Sequence, residues 1–245
     1  MMDVVLSFLP LIYFLIALLY SSVGHGGASG YLAIMGLLHM VPETMKPAAL
    51  LMNVFVSMIA FIRFSGVTEL PRGFFIALVV GSMPAAFFGA MIPVSDEVYR
   101  KILGVMILIA AIRLTGFFNV PERVIQVPEG YIAILVGLAI GIVSGITGIG
   151  GGIVLSPLLL IMGWAGLKQT ALISALFIFL NSISGLLGLA MTGFLPDMEI
   201  LYWTIAAFCG GLVGSWIGSR KLPPAMMKKV LAMVLIFAGI KLILQ

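Results

Sequence analysis

Apolar residues fill most of the chain in long runs, and short groups of charged residues, prolines and glycines separate these runs. The runs lie at residues 3–22, 28–40, 46–64, 72–92, 98–117, 130–146, 152–164, 168–193, 198–219 and 225–244. Most of them reach the roughly 20 residues that an α-helix needs to cross about 30 Å of hydrocarbon. The pattern therefore predicts an all-α integral membrane protein of about ten helical segments.

Two of these runs are too short to cross a membrane as helices. Residues 28–40 and 152–164 comprise 13 residues each, which is about 20 Å of helix at 1.5 Å per residue. Each follows a glycine-rich break. We expect two half-helices that start near the middle of the membrane, each entered from a preceding segment that also stops short.

The chain also repeats itself. Residues 24–27 correspond to residues 148–151 at an offset of 124, and residues 100–101 correspond to residues 228–229 at an offset of 128. We predict a duplication, with a first membrane repeat at 1–118, a linker at 119–129 and a second repeat at 130–245, together forming one transmembrane domain. Because each repeat has five segments, the second repeat would be inverted relative to the first.

The distribution of basic residues bears on this inversion. With the N-terminus outside, nine basic residues fall on the cytoplasmic side and four fall outside, namely Lys46, Arg100, Lys101 and Lys241. If the short segments were re-entrant and the repeats parallel, the split would be eight to five. The positive-inside rule therefore favours the inverted arrangement, with both termini outside.

Composition narrows the class of protein. The chain is 62% hydrophobic and 9% charged, whereas soluble domains average about 45–50% and about 25%. Soluble enzymes and nucleic-acid-binding proteins are therefore excluded. The partners we expect are membrane lipid and a small anionic substrate, with no nucleic acid, and a homodimer is left open.

Catalytic and metal chemistry also lack the residues that they need. Two histidines and one cysteine do not make a zinc site, and no Gly-x-Ser-x-Gly nucleophile or dinucleotide fingerprint is present. The nine carboxylates all fall in loops or at segment ends, which argues against a cation site of the carboxylate kind. We predict no enzyme activity, no metal and no cofactor.

The two glycine breaks are the candidate binding site. Irregular backbone inside a membrane is tolerated only where it is buried in protein or lines a cavity. A glycine run leaves several N–H groups pointing together, and the half-helix that follows adds the positive end of its dipole, so that an anion could bind. Tight turns without a ligand are the alternative. The residues we predict to contact substrate are Gly24, His25, Gly26, Gly27, Ser29, Asn53, Thr147, Gly148, Gly150, Gly151, Gly152 and Asn181.

Individual side chains near the breaks have two interpretations each. His25 could donate to an anion or carry a proton with it, or it could be a neutral ring bonded to backbone. Asn53 and Asn181 could face the pathway or hold helices together. Lys46 and Lys168 could draw anions towards the site or only extend to the membrane surface.

Small residues recur every fourth position in three segments. The rows are Gly81/Ala85/Gly89, Gly137/Gly141/Gly145 and Gly210/Gly214/Gly218. Each row forms a smooth stripe on a helix, and such stripes let helices approach closely. We expect them to serve packing rather than substrate binding.

The duplicated glycine motif resembles a known family. Residues 22–27 read SVGHGG, and residues 145–157 read GITGIGGGIVLSP. These motifs, with the stretch at 168–171 that opens a long segment, resemble the TauE/SafE sulfite exporter family, also called the sulfonate uptake permeases. The first motif departs from the family's usual Gly-x-Gly-Gly-Gly form because it reads His25-Gly26-Gly27-Ala28.

The resemblance implies a transport function. It points to a secondary transporter for small sulfur-containing anions, such as sulfite, sulfoacetate or other organosulfonates, in the bacterial plasma membrane. A passive anion channel is the alternative function.

Overall fold

Helices make up almost all of the described chain, as the long apolar runs require. The computed structural model describes residues 2–114, 126–194, 196–220, 235–237 and 239–244. Its helices are α1 (Met2–Ser21), α2 (Ala28–Leu37), α3 (Pro42–Ser65), α4 (Arg72–Met91), α5 (Asp96–Leu114), α6 (Gly130–Thr147), α7 (Gly152–Ile161), α8 (Leu167–Met191) and α9 (Met198–Arg220). A terminal helix follows at Leu235–Leu244, and no strand occurs within the described residues.

Five of the described helices are long and apolar enough to cross a membrane, namely α3, α4, α6, α8 and α9. The α5 helix is not among them because of its charge rather than its length. Its first two turns carry Asp96, Glu97, Arg100 and Lys101. The all-α membrane class predicted from the sequence is confirmed.

The two predicted half-helices are present, and each is ten residues long. They end three residues earlier than their apolar runs because the backbone turns into the left-handed region, at His39 with φ 58° and at Gly163 with φ 68°. The N–H of Met40 then donates to Met35 and that of Trp164 to Leu159, which closes both helices with the same type of C-terminal turn.

The expectation that the segments before the half-helices stop short is wrong. The α1 helix has 20 residues and α6 has 18, about 30 Å and 27 Å at 1.5 Å per residue. Both end at a glycine-rich break rather than at a polar loop. The shortness of the half-helices therefore does not imply that their neighbours are also half-length.

The small-residue stripes bring a helix of the first half of the chain against a helix of the second half, which confirms that they serve packing. The main partner of α4 is α6, and the main partner of α1 is α9. A Cβ on these glycines would collide with backbone of the partner helix: Gly81 faces Ile134, Gly137 faces Leu78, Gly145 faces Ala86, Gly210 faces Phe14, Gly214 faces Leu18 and Gly218 faces Ser22.

The same contacts give the relative directions of the helices. Residue numbers rise together along the α4–α6 pair and along the α1–α9 pair, so both pairs are parallel. In the central α3–α8 pair the numbers run in opposite senses, because Gly185 lies against Leu50 whereas Leu172 packs with Phe64. The α3 and α8 helices are therefore antiparallel and cross near their midpoints.

The predicted linker and the last apolar run lie partly outside the described residues. Residues 119–125 of the predicted linker and residues 225–234 of the last apolar run lie outside the described residues. The described remainder of that run is helical, and Gly239 and Ile243 lie against Gly104 of α5.

Candidate functional site

The two glycine breaks meet at the crossing of α3 and α8. A Cβ on Gly26, in the first break, would collide with the side chains of Asn53 and Ile178. A Cβ on Gly150, in the second break, would collide with the same two side chains and approach the hydroxyl of Ser182. Both breaks therefore reach the middle of the protein and contact one pair of side chains there.

The breaks enter this centre from opposite ends of the α3–α8 pair. Gly24, just after α1, lies against Ala171 near the start of α8, whereas Gly148, just after α6, lies against Lys46 near the start of α3. Since α3 and α8 are antiparallel, these two positions are at opposite ends of the pair. Each break then leads the chain back to the level of Asn53, where a half-helix begins.

Glycine is required at these positions by the backbone conformation. The left-handed φ values are 79° at Gly24, 100° at Gly27, 78° at Gly148, 80° at Gly150 and 78° at Gly151. A residue with a Cβ pays about 1–2 kcal/mol in this region. Gly27 and Gly151 are the N-caps of α2 and α7, and neither helix has a side-chain cap.

The uncapped helix starts leave backbone donors without partners. Among the described residues, the N–H groups of residues 26–29 and residues 150–153 make no hydrogen bond. The positive ends of two helix dipoles face the same centre, which favours negative charge there. This geometry is suited to an anion held by backbone N–H groups.

Polar side chains without partners surround the same centre. The Asn53 Oδ1 and Ser182 Oγ atoms are buried and make no hydrogen bond to any described residue, and the same is true of Ser144 Oγ. Ser144 lies beside Gly151, where a Cβ would come within 3.5 Å of the serine Cβ. Buried polar atoms are normally paired, so a cluster of unpaired ones is a candidate place for a ligand or water to bind.

His25 connects the first break to the second half-helix. Its Nδ1 lies 3.0 Å from the carbonyl oxygen of Val23, and its Nε2 lies 2.8 Å from Ser156 Oγ and 3.3 Å from the carbonyl oxygen of Gly152. Ser156 in turn lies 2.6 Å from Ser174 Oγ. The ring is buried and belongs to a hydrogen-bonded chain through α7 and α8.

The remaining predicted side chains make hydrogen bonds close to their own positions in the chain. Ser29 Oγ lies 2.6 Å from Tyr20 Oη, and Thr147 donates to the carbonyl oxygen of Val143 at 2.7 Å. The amide nitrogen of Asn181 donates to Phe177 at 2.8 Å. Within the described residues, Asn181 makes no hydrogen bond to either break, although it adjoins Ser182 on α8.

The two lysines expected near the site differ from each other. Lys46 is buried at 9% exposure, and its ammonium lies 5.1 Å from the centre of the Tyr99 ring. The Tyr99 hydroxyl donates to the carbonyl oxygen of Thr147 at 3.1 Å, so that Lys46 sits at the C-terminal end of α6, beside the second break. Lys168 is exposed.

Ile178 is the central residue that the sequence does not predict. It would be touched by a Cβ on Gly26, Gly150 or Gly152. An isoleucine within an apolar run gives no signal of its own, and only its position one turn before Ser182 connects it with polar residues. Its side chain is an apolar neighbour of both glycine breaks.

Comparison with known proteins gives a consistent result. The family model for "Sulfite exporter TauE/SafE" matches residues 9–242. The probable membrane transporter protein y4hK of Sinorhizobium fredii is 34% identical over 244 residues, with 96% of this chain and 97% of that protein covered. The probable membrane transporter protein YdhB of Bacillus subtilis is 26% identical over 245 residues, with 95% and 98% covered. No solved structure matches.

Proposed function

Because this chain belongs to the TauE/SafE sulfite exporter family and is a multi-pass membrane transporter, we propose that it is a secondary transporter for small sulfur-containing anions. The substrates we propose are sulfite, sulfoacetate or other organosulfonates. Its location would be the bacterial plasma membrane, which is in keeping with the bacterial sources of its relatives.

The observation that carries the proposal is the meeting of two uncapped half-helix N-termini at Asn53 and Ile178. An oxyanion at this point would accept hydrogen bonds from backbone N–H groups of residues 26–29 and 150–153, and it would lie at the positive ends of both dipoles. Because the donors are backbone groups, the site binds charge without burying a fixed cation.

The helix directions support alternating access through an inverted repeat. Each half contributes one break, and the breaks approach the centre from opposite ends of the α3–α8 pair. In such an arrangement, rocking of one helix group against the other opens the centre first to one side and then to the other. The glycine stripes between α4 and α6, and between α1 and α9, would be the sliding surfaces.

The driving force would be either the gradient of the anion or a coupled proton. His25 is the candidate for the proton, because its ring nitrogens contact Val23, Gly152 and Ser156 and thereby join the first break to α7. A proton gained or lost here changes which ring nitrogen can donate, and thus the bonds that hold the two breaks together.

Transport by purified protein in liposomes tests the proposal. Liposomes preloaded with unlabelled sulfite should accumulate labelled sulfite transiently against its gradient, because a carrier exchanges one bound anion for another. A passive channel, the alternative function, would give single-channel currents and no such counterflow. If the liposomes moved no sulfite, sulfoacetate or other organosulfonate, the transport proposal would be wrong.

A further inference from the structure

The orientation of the Asn53 amide is fixed by its surroundings. Its Nδ2 donates to the carbonyl oxygen of Ile149 at 3.1 Å, and an amide oxygen in that place would face another oxygen. The Oδ1 atom must therefore point the other way, towards Gly26, where a Cβ would collide with it. Asn53 is fully buried, and its Oδ1 is an acceptor without a donor among the described residues.

The site thus contains a hydrogen-bond acceptor, which an anion without a donor of its own cannot bind. The backbone N–H groups of both breaks are donors and suit the oxygens of an oxyanion, whereas Asn53 Oδ1 is an acceptor only. A ligand that carries acceptors alone would leave this buried oxygen unpaired and would bring negative charge close to it. An unpaired buried acceptor is unfavourable, so the amide would select against such a ligand.

A second acceptor of the same kind lies on the opposite central helix. Asn181 donates its amide hydrogen to Phe177, which fixes its orientation, and its Oδ1 is also buried without a donor among the described residues. Asn53 on α3 and Asn181 on α8 are related by the same offset of 128 that relates residues 100–101 to residues 228–229. A buried amide oxygen without a donor is therefore present at the equivalent position of each half, but only that of Asn53 lies against the glycine breaks.

We infer that the transported anion is a monoanion that bears its own O–H or N–H donor, which binds Asn53 Oδ1 while the charged oxygens bind the half-helix N-termini. Hydrogen sulfite and hydroxyalkanesulfonates have this character, whereas sulfate, the sulfoacetate dianion and simple alkanesulfonates do not, so that the proposed substrates are narrowed to the first group. The inference rests on the proposed function, because it assigns the substrate class of that same site.

Two sulfonates of nearly equal size test the inference. 2-Hydroxyethanesulfonate and 1-propanesulfonate have the same charge and length and differ by a hydroxyl in place of a methyl group. Calorimetric titration of the full-length protein in lipid nanodiscs should give a dissociation constant at least about tenfold lower for the hydroxylated anion, because the other ligand leaves Asn53 Oδ1 unpaired. Equal affinities would overturn the inference while leaving anion binding intact, and absence of binding by both anions would count against the proposed function as well.

Variants locate the selectivity at one side chain. Asn53→Leu should make the dissociation constants of the two anions about equal, because the acceptor is gone and both anions then meet an apolar group. Thr204→Val is a matched control, since Thr204 is buried in α9 and, within the described part of the chain, its hydroxyl donates only to the carbonyl oxygen of Ile200 in its own helix. The control should keep the preference of the wild type. A preference retained in Asn53→Leu would overturn the assignment, and the comparison of the two ligands on the wild type remains decisive if that variant does not fold.

Discussion

At the scale of single residues, the site depends on glycines that no other amino acid can replace without cost. Gly150 combines a left-handed backbone with contacts to Asn53, Ile178 and Ser182. The sequence identifies this position because a run of glycines inside an apolar region needs an explanation. It does not identify Ile178, because one isoleucine among many carries no distinguishing mark.

Gly150→Ala should lower the transport rate at least about tenfold, which corresponds to about 1.4 kcal/mol, because its Cβ would enter the space between the breaks and α8. The measurement is sulfite uptake into liposomes at equal protein content. Gly193→Ala is the matched control, since Gly193 has a similar φ of 88° but nothing within 4 Å of an added Cβ. If Gly150→Ala and Gly193→Ala took up sulfite at the same rate, the contacts of the added Cβ at Gly150 would have no effect on transport. Only backbone strain would then matter at Gly150.

His25→Gln should remove the dependence of uptake on pH, because glutamine can keep hydrogen bonds to Gly152 or Ser156 but does not titrate near neutrality. Uptake by the wild type and the variant is compared across the neutral range. Ser156→Ala serves as the control, since it shortens the hydrogen-bonded chain but keeps the imidazole. A pH profile that is the same in His25→Gln and in the wild type would reject the proton role.

At the scale of elements, hydropathy predicts the helices well and their termini less well. The runs at 72–92, 130–146 and 198–219 correspond to α4, α6 and α9 with a difference of one residue at each C-terminal end. The half-helices are three residues shorter than predicted because turn geometry, rather than polarity, ends them. The runs at 3–22 and 130–146 already match the lengths of α1 and α6. The expectation that these segments stop short comes from the short half-helices that follow them, and it is wrong.

Gly214→Val should destabilise the protein by about 1–3 kcal/mol, because its side chain would be forced against the backbone of Leu18 in the parallel α1 helix. Thermal unfolding in detergent measures the change. Gly73→Ala is the control for a helical glycine, since nothing lies within 4 Å of a Cβ there, and it should retain or raise stability. If both variants unfolded at the same temperature as the wild type, the stripe on α9 would not be in close contact with α1.

At the scale of the whole molecule, the inverted duplication stays a prediction, with which the helix directions are compatible. The sequence favours it through the odd number of segments in each repeat and through the placement of basic residues. Which helices pair could not be read from the sequence, since glycine stripes indicate close contact but not the partner. The structure supplies the partners, α4 with α6 and α1 with α9.

Labelling of single cysteines tests the inversion. Gly66 follows α3 and Gly193 follows α8, so these positions are equivalent in the two halves and should lie on opposite sides of an inverted repeat. In a background where Cys209 is replaced by alanine, Gly193→Cys should react with an impermeant maleimide in intact cells, and Gly66→Cys only after permeabilisation. Reaction of both or neither in intact cells would indicate parallel repeats.

The most direct test of the anion site is a crystallographic one. Selenite has the shape and charge of sulfite, and its selenium can be located by anomalous scattering. We expect one selenium peak between the two half-helix N-termini, with the selenite oxygens about 2.7–3.2 Å from backbone nitrogens of residues 26–29 or residues 150–153. A peak elsewhere, such as beside Lys46 or Lys168, with none at the centre, would contradict this expectation.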